Sequence, residues 1–219
     1  MSVSTFSRRA MIVALPMLLG ACASMPRSNR TVETAAPIDP FESARYGGKP
    51  DEPFTVQPVD LRKMSPDLLR QEVDFPTDQP PGTIVVDPHS RFLYLVQENG
   101  KALRYGVGVG KAGLEFQGSA SIQMKREWPR WTPTSDMIDR DPDRYSPWKS
   151  GMEGGAQNPL GARALYLFKD GKDTLYRIHG TNEPQTIGKA VSSGCIRMLN
   201  QDVIDLYGRV PRGSKVVVL

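Results

Sequence analysis

Residues 83–109, TIVVDPHSRFLYLVQENGKALRYGVGV, read as three consecutive strands. Thr83 to Asp87 and Phe92 to Val96 are short β-branched and aromatic runs, and Pro88-His89-Ser90-Arg91 between them has turn composition. Asn99-Gly100 signals a tight hairpin, because both residues tolerate the positive φ such a turn needs. Leu103 to Val109 then forms the third strand. The same texture recurs downstream. Ser121 to Lys125 alternates apolar and polar side chains, Leu165 to Phe168 and Leu175 to Ile178 flank the turn Asp170-Gly171, and Lys215 to Leu219 closes the chain. One segment has clear helical spacing: Asn200 is placed to cap Gln201 to Tyr207, with Val203, Ile204 and Tyr207 on one face. Many short strands joined by turns predict a mostly-β sandwich or barrel with one or two short helices. The about 138 residues from 82 to 219 can bury a core unaided.

Upstream the texture is different. Nine prolines fall between Pro26 and Pro80 with few apolar clusters. Such a stretch buries too little apolar surface to offset its ordering entropy, so residues 22–64 are expected to form a flexible Pro-rich tether. Residues 65–81 should hold one ordered piece. Ser65-Pro66-Asp67 offers a cap, a proline at the first helical position and an early acid, ahead of Leu68, Leu69 and Val73.

The first 21 residues read as an address. Arg8-Arg9 precede an apolar run, Ala10 to Leu19, that is too short to span a bilayer. The paired arginines after Ser7 resemble a twin-arginine export signal, although ordinary secretion signals also carry two basic residues. Leu19-Gly20-Ala21-Cys22 resembles a bacterial lipobox, with Cys22 as the lipid-bearing first mature residue; the rival reading is cleavage at the small residues Ala21-Cys22-Ala23. Acyl chains on Cys22 would hold the protein to a membrane face. Either reading places the remainder outside the cytoplasm, with the periplasm as the expected location. The net charge is +4, and +2 without Arg8 and Arg9. That is too little to argue for a nucleic-acid partner, and no basic stripe interleaved with aromatics is present.

With Cys22 assigned to lipid, Cys195 is the one remaining cysteine, in the run 178–197, IHGTNEPQTIGKAVSSGCIR. His179 stands at the end of a predicted strand and Cys195 follows the turn composition Ser192-Ser193-Gly194. Ends of elements are where catalytic groups are commonly displayed. A free thiol is only a few per cent ionised at neutral pH, and an imidazole beside it can take its proton. N–H groups around Gly194 and Cys195 could hold an oxyanion. The bland alternatives are a buried inert cysteine and a hydrogen-bonded strand-end histidine. The two residues lie 16 positions apart, so the chain must fold back to join them. Two histidines and one available thiol without ligand-type spacing do not make a metal site, and no metal or cofactor is expected.

The run closely resembles the catalytic motif of the L,D-transpeptidase (YkuD-like) family, in a histidine-glycine pair, His179-Gly180, followed by Ser192-Ser193-Gly194-Cys195-Ile196-Arg197. Further similar segments follow in family order: Ile84 to Asp87, Leu93 to Val96, Tyr105 to Lys111, Asn158-Pro159-Leu160-Gly161 and His179 to Pro184. The resemblance spans residues 82–219 and implies a YkuD-type β-sandwich. It implies that Cys195 attacks the carbonyl of the third stem-peptide residue of peptidoglycan, expels the terminal D-alanine and keeps a thioester. An amine of a second stem then gives a 3→3 cross-link, with His179 as base and acid. Many members carry histidine where this chain has Ser193, which with Gly194 belongs to the expected oxyanion loop and either donates a hydrogen bond or merely suits the turn. His89 lies in a predicted turn, so His179 is left as the sole imidazole base.

The resemblance also suggests roles for neighbouring residues. Arg197, two positions past the nucleophile, is either a fork for a stem carboxylate or a brace for the Cys195 loop; a plain surface arginine is the alternative. Ser192 is expected to fix the turn and Gly180 to sit against substrate. The irregular stretch Trp128 to Gly161 is rich in Pro, Gly, Asp and Arg, as lids often are. Arg140 and Arg144 in it are candidates for stem-peptide contact, whereas Trp128 and Trp131 read as packing residues. Three rival outcomes stay open: transfer to water as an L,D-carboxypeptidase, transfer to a protein lysine that ties an outer-membrane protein to the wall, and a non-catalytic wall-binding lipoprotein.

Overall fold

Apolar side chains alternate along the strand runs, so one sheet face can be dry only if the sheet folds over itself. A computed structural model describes residues 38–111 and 116–219. Its elements run α1 (Pro40–Arg45), β1 (Gln71–Asp74), β2 (Ile84–Asp87), β3 (Phe92–Val96), β4 (Lys101–Gly106), β5 (Val109–Gly110) and β6 (Gly118–Glu127). Then come α2 (Ser135–Arg140), α3 (Pro142–Tyr145), β7 (Arg163–Lys169), β8 (Lys172–His179), β9 (Ala190–Ser192), β10 (Ile196–Arg197), α4 (Asn200–Arg209) and β11 (Lys215–Val218). The export signal, Cys22 and the tether as far as residue 37 lie outside the described residues.

Nine strands form one sheet in the order β1-β4-β3-β2-β11-β6-β7-β8-β10. The last strand is the seam: β11 runs parallel to β2 and antiparallel to β6, joining a half built from residues 71–106 to a half built from residues 118–197. The expected hairpins form. Asn99 and Gly100 both adopt positive φ, 59° and 68°, as the β3–β4 turn demands. The far edge is stitched back to the chain after β4, where Gly108 N–H donates to Arg197 O and Arg197 N–H to Gly108 O. Both halves therefore share one core, in which Ile84, Leu93, Tyr105, Ile122, Leu165 and Val216 are fully buried. Val203 and Leu206 of α4 close it. This is the mostly-β, YkuD-type sandwich that the sequence predicts.

Three expectations are corrected. Four short helices occur among the described residues, not one or two; α2 and α3 belong to the irregular stretch before β7. Asn200 does not cap α4: Leu199 is the N-cap residue and no side chain caps it. The piece after Ser65 is a single 3₁₀ turn, Pro66–Leu68, without a side-chain cap, and Val73 lies in β1, paired with β4.

The tether expectation also ends too late. Residues 38–64 pack as a strap. Tyr46 and Val56 are 1% and 2% exposed, and Leu61, Met64, Leu68 and Leu69 pack around Tyr46, Ile187 and Leu199. Proline-rich composition limits regular hydrogen bonding to the short helix α1 and isolated turns, but it does not prevent anchoring by widely spaced apolar residues. The strap backbone is satisfied partly within itself, as where Lys49 and Val56 each donate to the other's carbonyl, and partly by a side chain of the domain. Gln201 Nε2 donates to Tyr46 O, Gly47 O and Gln57 O.

Candidate active site

His179 ends β8, and β10 lies parallel to it with Arg197 opposite His179 and Ile196 opposite Ile178. Sheet pairing thus brings Cys195, one residue before β10, to the end of the histidine strand. The loop before it is pinned by β5, which runs parallel to β9. Backbones approach closely there: a Cβ on Gly110 would stand 2.8 Å from Gly194 Cα, so neither strand nor loop admits a side chain at that point. Gly194 itself holds φ at 127°, a conformation L side chains rarely adopt. Ser192 locks the turn, its hydroxyl donating to Cys195 O at 2.6 Å and accepting from Gly194 N–H at 3.2 Å.

His179, Cys195, Arg197, Ser192 and Ser193 open together on a cleft of about 200 Å³. His179 is 4% exposed, and Cys195 is a free, half-buried thiol. The His179 Nδ1 lies 2.6 Å from Gly180 O. A carbonyl can only accept, so Nδ1 carries the proton and Nε2 keeps its lone pair. Burial, then the Arg197 charge, push the imidazole down to about 3, so it is neutral at ordinary pH. Burial pushes the Cys195 thiol up, against the opposing pull of the Arg177 N–H and the Arg177 and Arg197 charges. Among the described residues no hydrogen bond joins Sγ to His179. The thiol donates instead to Leu175 O, at 3.9 Å.

Leu175 is itself unusual. It sits in a two-residue bulge of β8, since Tyr166 pairs with Arg177 while Phe168 pairs with Asp173. Its φ is 63° and its side chain is exposed. Thr174 shapes the bulge by donating to Leu167 O at 2.6 Å and accepting from Tyr176 N–H at 3.2 Å. Asp173 grips Arg177 with two bonds, at 2.7 and 2.8 Å.

Arg197 Nη1 meets Glu183 Oε2 at 3.0 Å, and Arg144 reaches the same carboxylate at 3.9 Å. The Arg197 Nε is buried without a partner among the described residues. Arg144, Trp131, Tyr145 and Trp148 also line the cleft, so the irregular stretch supplies part of its wall. Asn158 holds that stretch in shape. Its side chain donates to Pro129 O, Met152 O and Glu153 O and accepts from Leu160 N–H. Trp131 is cleft wall, while Trp128 packs edge-on to Phe54 and donates to Glu52.

Two candidates fall elsewhere. Arg140 does not line the cleft; its Nε turns back to Asp136 O on its own helix. Gly180 does not line it either. Its Cα packs on Asn200, whose side chain accepts from Ala162 N–H at 2.9 Å and donates to Thr181 O at 3.0 Å. His89 is in the β2–β3 turn, exposed, as expected. Glu183, Asn200 and Arg177 were missed by sequence reasoning; only the likeness of residues 179–184 to family segments hinted at Glu183. No group of three or more His, Cys, Asp or Glu that could hold a metal occurs among the described residues.

A family model for the L,D-transpeptidase catalytic domain, YkuD, matches residues 81–218. The chain is 30% identical to the Escherichia coli protein named Probable L,D-transpeptidase ErfK/SrfK over 84% of its own length and 59% of the relative's. It is 30% identical to the E. coli Probable L,D-transpeptidase YbiS over 68% of its own length and 47% of the relative's. The chain thus spans about half to three-fifths of these relatives. A crystal structure from Brucella melitensis, described as a probable carnitine operon oxidoreductase caia, is 57% identical. It covers 73% of this chain and 99% of its own, with a TM-score of 0.50. A family match over most of the chain, falling on the segment that holds the cysteine, the histidine and the sandwich, shows that the chain belongs to the YkuD L,D-transpeptidase catalytic-domain family.

Proposed function

We propose that this chain is a peptidoglycan L,D-transpeptidase with Cys195 as nucleophile. The observation that carries the reading is the shared opening of the Cys195 thiol and the unprotonated His179 Nε2 on one cleft. Cys195 Sγ attacks the carbonyl of the third stem residue while its proton passes to His179 Nε2. The C–N bond to D-alanine breaks, and the same proton leaves on the departing amine. The thioester on Cys195 is then attacked by an amine of a second stem, which restores the thiol through His179.

Both groups rest in neutral form, so the proton moves as the carbonyl is attacked and not before. A substrate carboxylate beside Arg197 offsets the charge that depresses His179 and makes the imidazole a stronger base when substrate is bound. Gly194 N–H is taken up by the Ser192 hydroxyl, which leaves the Ser193 and Cys195 N–H groups as the candidate oxyanion donors on this loop. The protein is proposed to work in the periplasm, tethered through lipid on Cys22.

The test incubates purified protein with tetrapeptide muropeptides and weighs protein and products. A thioester adduct on the wild type, absent from Cys195→Ala, is expected, together with D-alanine and cross-linked dimers. An adduct that persists in Cys195→Ala overturns the nucleophile. Tripeptide monomers without dimers make water the acceptor, and no D-alanine at all supports a binding protein. Fatty-acid labelling lost in Cys22→Ala tests the anchor.

A further inference from the structure

We propose that a second cavity beside the cleft binds an uncharged N-acetylated sugar of the glycan to which the stem peptide is joined, an inference that rests on the peptidoglycan reading. The cavity holds about 250 Å³, the same order as the cleft. One wall is the strap, Thr55 to Val59; another is the start of α4, Leu199 to Gln201. Gln157 and Asn182 line both spaces, and the bond from Asn182 Nδ2 to Gln157 O at 2.9 Å is the partition between them. A molecule seated in the cleft therefore has its adjoining groups within reach of the cavity.

Charge separates the two spaces. The cleft carries His179, Arg144, Glu183 and Arg197. Among the described residues, no Asp, Glu, Lys, Arg or His lines the cavity; its polar groups are amides and hydroxyls. The substrate divides the same way. Its charges sit on the stem peptide, whereas the in-chain sugars offer hydroxyl and acetamide groups without charge. Amide and hydroxyl side chains alternate with apolar ones around the cavity, a mixed wall suited to a ligand that carries both hydroxyls and C–H faces.

The cavity is also rigid where rigidity counts. Asn200 and Gln201 are fixed by hydrogen bonds to Ala162, Thr181 and the strap carbonyls. The Trp128 ring, which lines the cavity, is held by Glu52 at 2.9 Å and by Phe54, and aromatic side chains pack well on the C–H groups of a pyranose. At the rim Thr55, Gln57 and Gln157 are exposed, and no hydrogen bond among the described residues uses their side-chain polar atoms. They are the donors and acceptors left over for a ligand. Thr55 and Gln57 lie outside the matched segment 81–218, so this wall is supplied by the strap.

The test titrates the full chain with N,N′-diacetylchitobiose and follows the Trp128 indole N–H resonance. A saturable shift is expected. Ala156→Phe, which fills the cavity from an exposed position that does not line the cleft, and Gln57→Ala, at the exposed rim, should each weaken binding about tenfold with an unchanged melting temperature. In parallel, wild type should show a lower KM for disaccharide-tetrapeptide than for free tetrapeptide, and Ala156→Phe should erase the difference while turning over free tetrapeptide normally. No saturable shift in wild type, or undiminished affinity in both variants, overturns the sugar site. Sugar binding that the variants weaken, without any turnover of tetrapeptide, leaves the site standing and overturns the transpeptidase reading instead.

Discussion

Burial pushes Cys195 and His179, the two side chains proposed to react, in the same direction, toward the uncharged form. The thiol is raised and the imidazole lowered, so a thiolate–imidazolium pair is not the resting state. Alkylation of Cys195 by iodoacetamide should therefore climb steadily through pH 9, with no plateau at neutral pH; a plateau below pH 7 would show that the ion pair exists before substrate arrives. Asn200 carries a second prediction. Asn200→Ala strands the Ala162 N–H and frees the Gly180 turn, which should cost about 1–3 kcal/mol in a urea titration. Residue type alone left Cys195, His179 and Arg197 open to inert structural readings; their juxtaposition was legible only through the likeness of residues 179–197 to the family motif. Asn200 was misread for a physical reason: its amide fits an N-cap, but partners distant in sequence compete for the same atoms and win. Arg140 was misread because composition cannot tell which side of a two-turn helix faces the cleft.

Strands were the legible elements, since β-branched runs, alternation and Asn99-Gly100 act locally. The bulge in β8 was not, because Asp173-Thr174 beside Asp170-Gly171 reads as part of a turn. Helices α2 and α3 were hidden too. They hold six and four residues, too few for periodicity to show, and depend on Thr134 and Asp141 accepting from the Met137 and Arg144 N–H groups. The bulge is where an element reaches the proposed nucleophile, for it places Leu175 O within hydrogen-bonding distance of the sulfur. Thr174→Val removes both bonds that shape it, so stability should fall by about 1–2 kcal/mol. The rate of acylation by tetrapeptide should fall as well, because the thiol loses a fixed acceptor. Unchanged acylation in a folded Thr174→Val protein would make the bulge a matter of packing alone.

At the scale of the molecule, strap and domain meet over a buried carboxylate. Asp202 accepts from Tyr46 Oη at 3.0 Å, Tyr46 Oη accepts from Arg70 N–H at 2.6 Å, and Arg70 also pairs with Asp205. Burial first, then the nearby Asp205, raise Asp202 to about 7 against the pull of Arg70, Tyr46 and Arg45. A raised group stabilises the fold fully below its unfolded value of about 3.9 and loses that contribution as pH climbs through about 7. His179, being lowered, does the opposite: its contribution is lost as pH falls from about 6.5 through about 3. Asp202→Asn should therefore gain on the wild type by about 1–2 kcal/mol between pH 5 and pH 8, read from urea midpoints. An equal difference at both values would mean that the carboxylate is charged throughout. The strap was hidden in the sequence because its anchors are single residues spread through prolines, a pattern shared with true linkers. Its packing bears on how the protein should be cut for the laboratory. A fragment begun at residue 81, where the family-model match starts, would leave Asp202 and Gln201 without their strap partners and Arg163 bereft of the Glu52 carboxylate that grips it twice. The sensible place to trim is upstream of Asp39, and a fragment made shorter than that would report on a damaged protein.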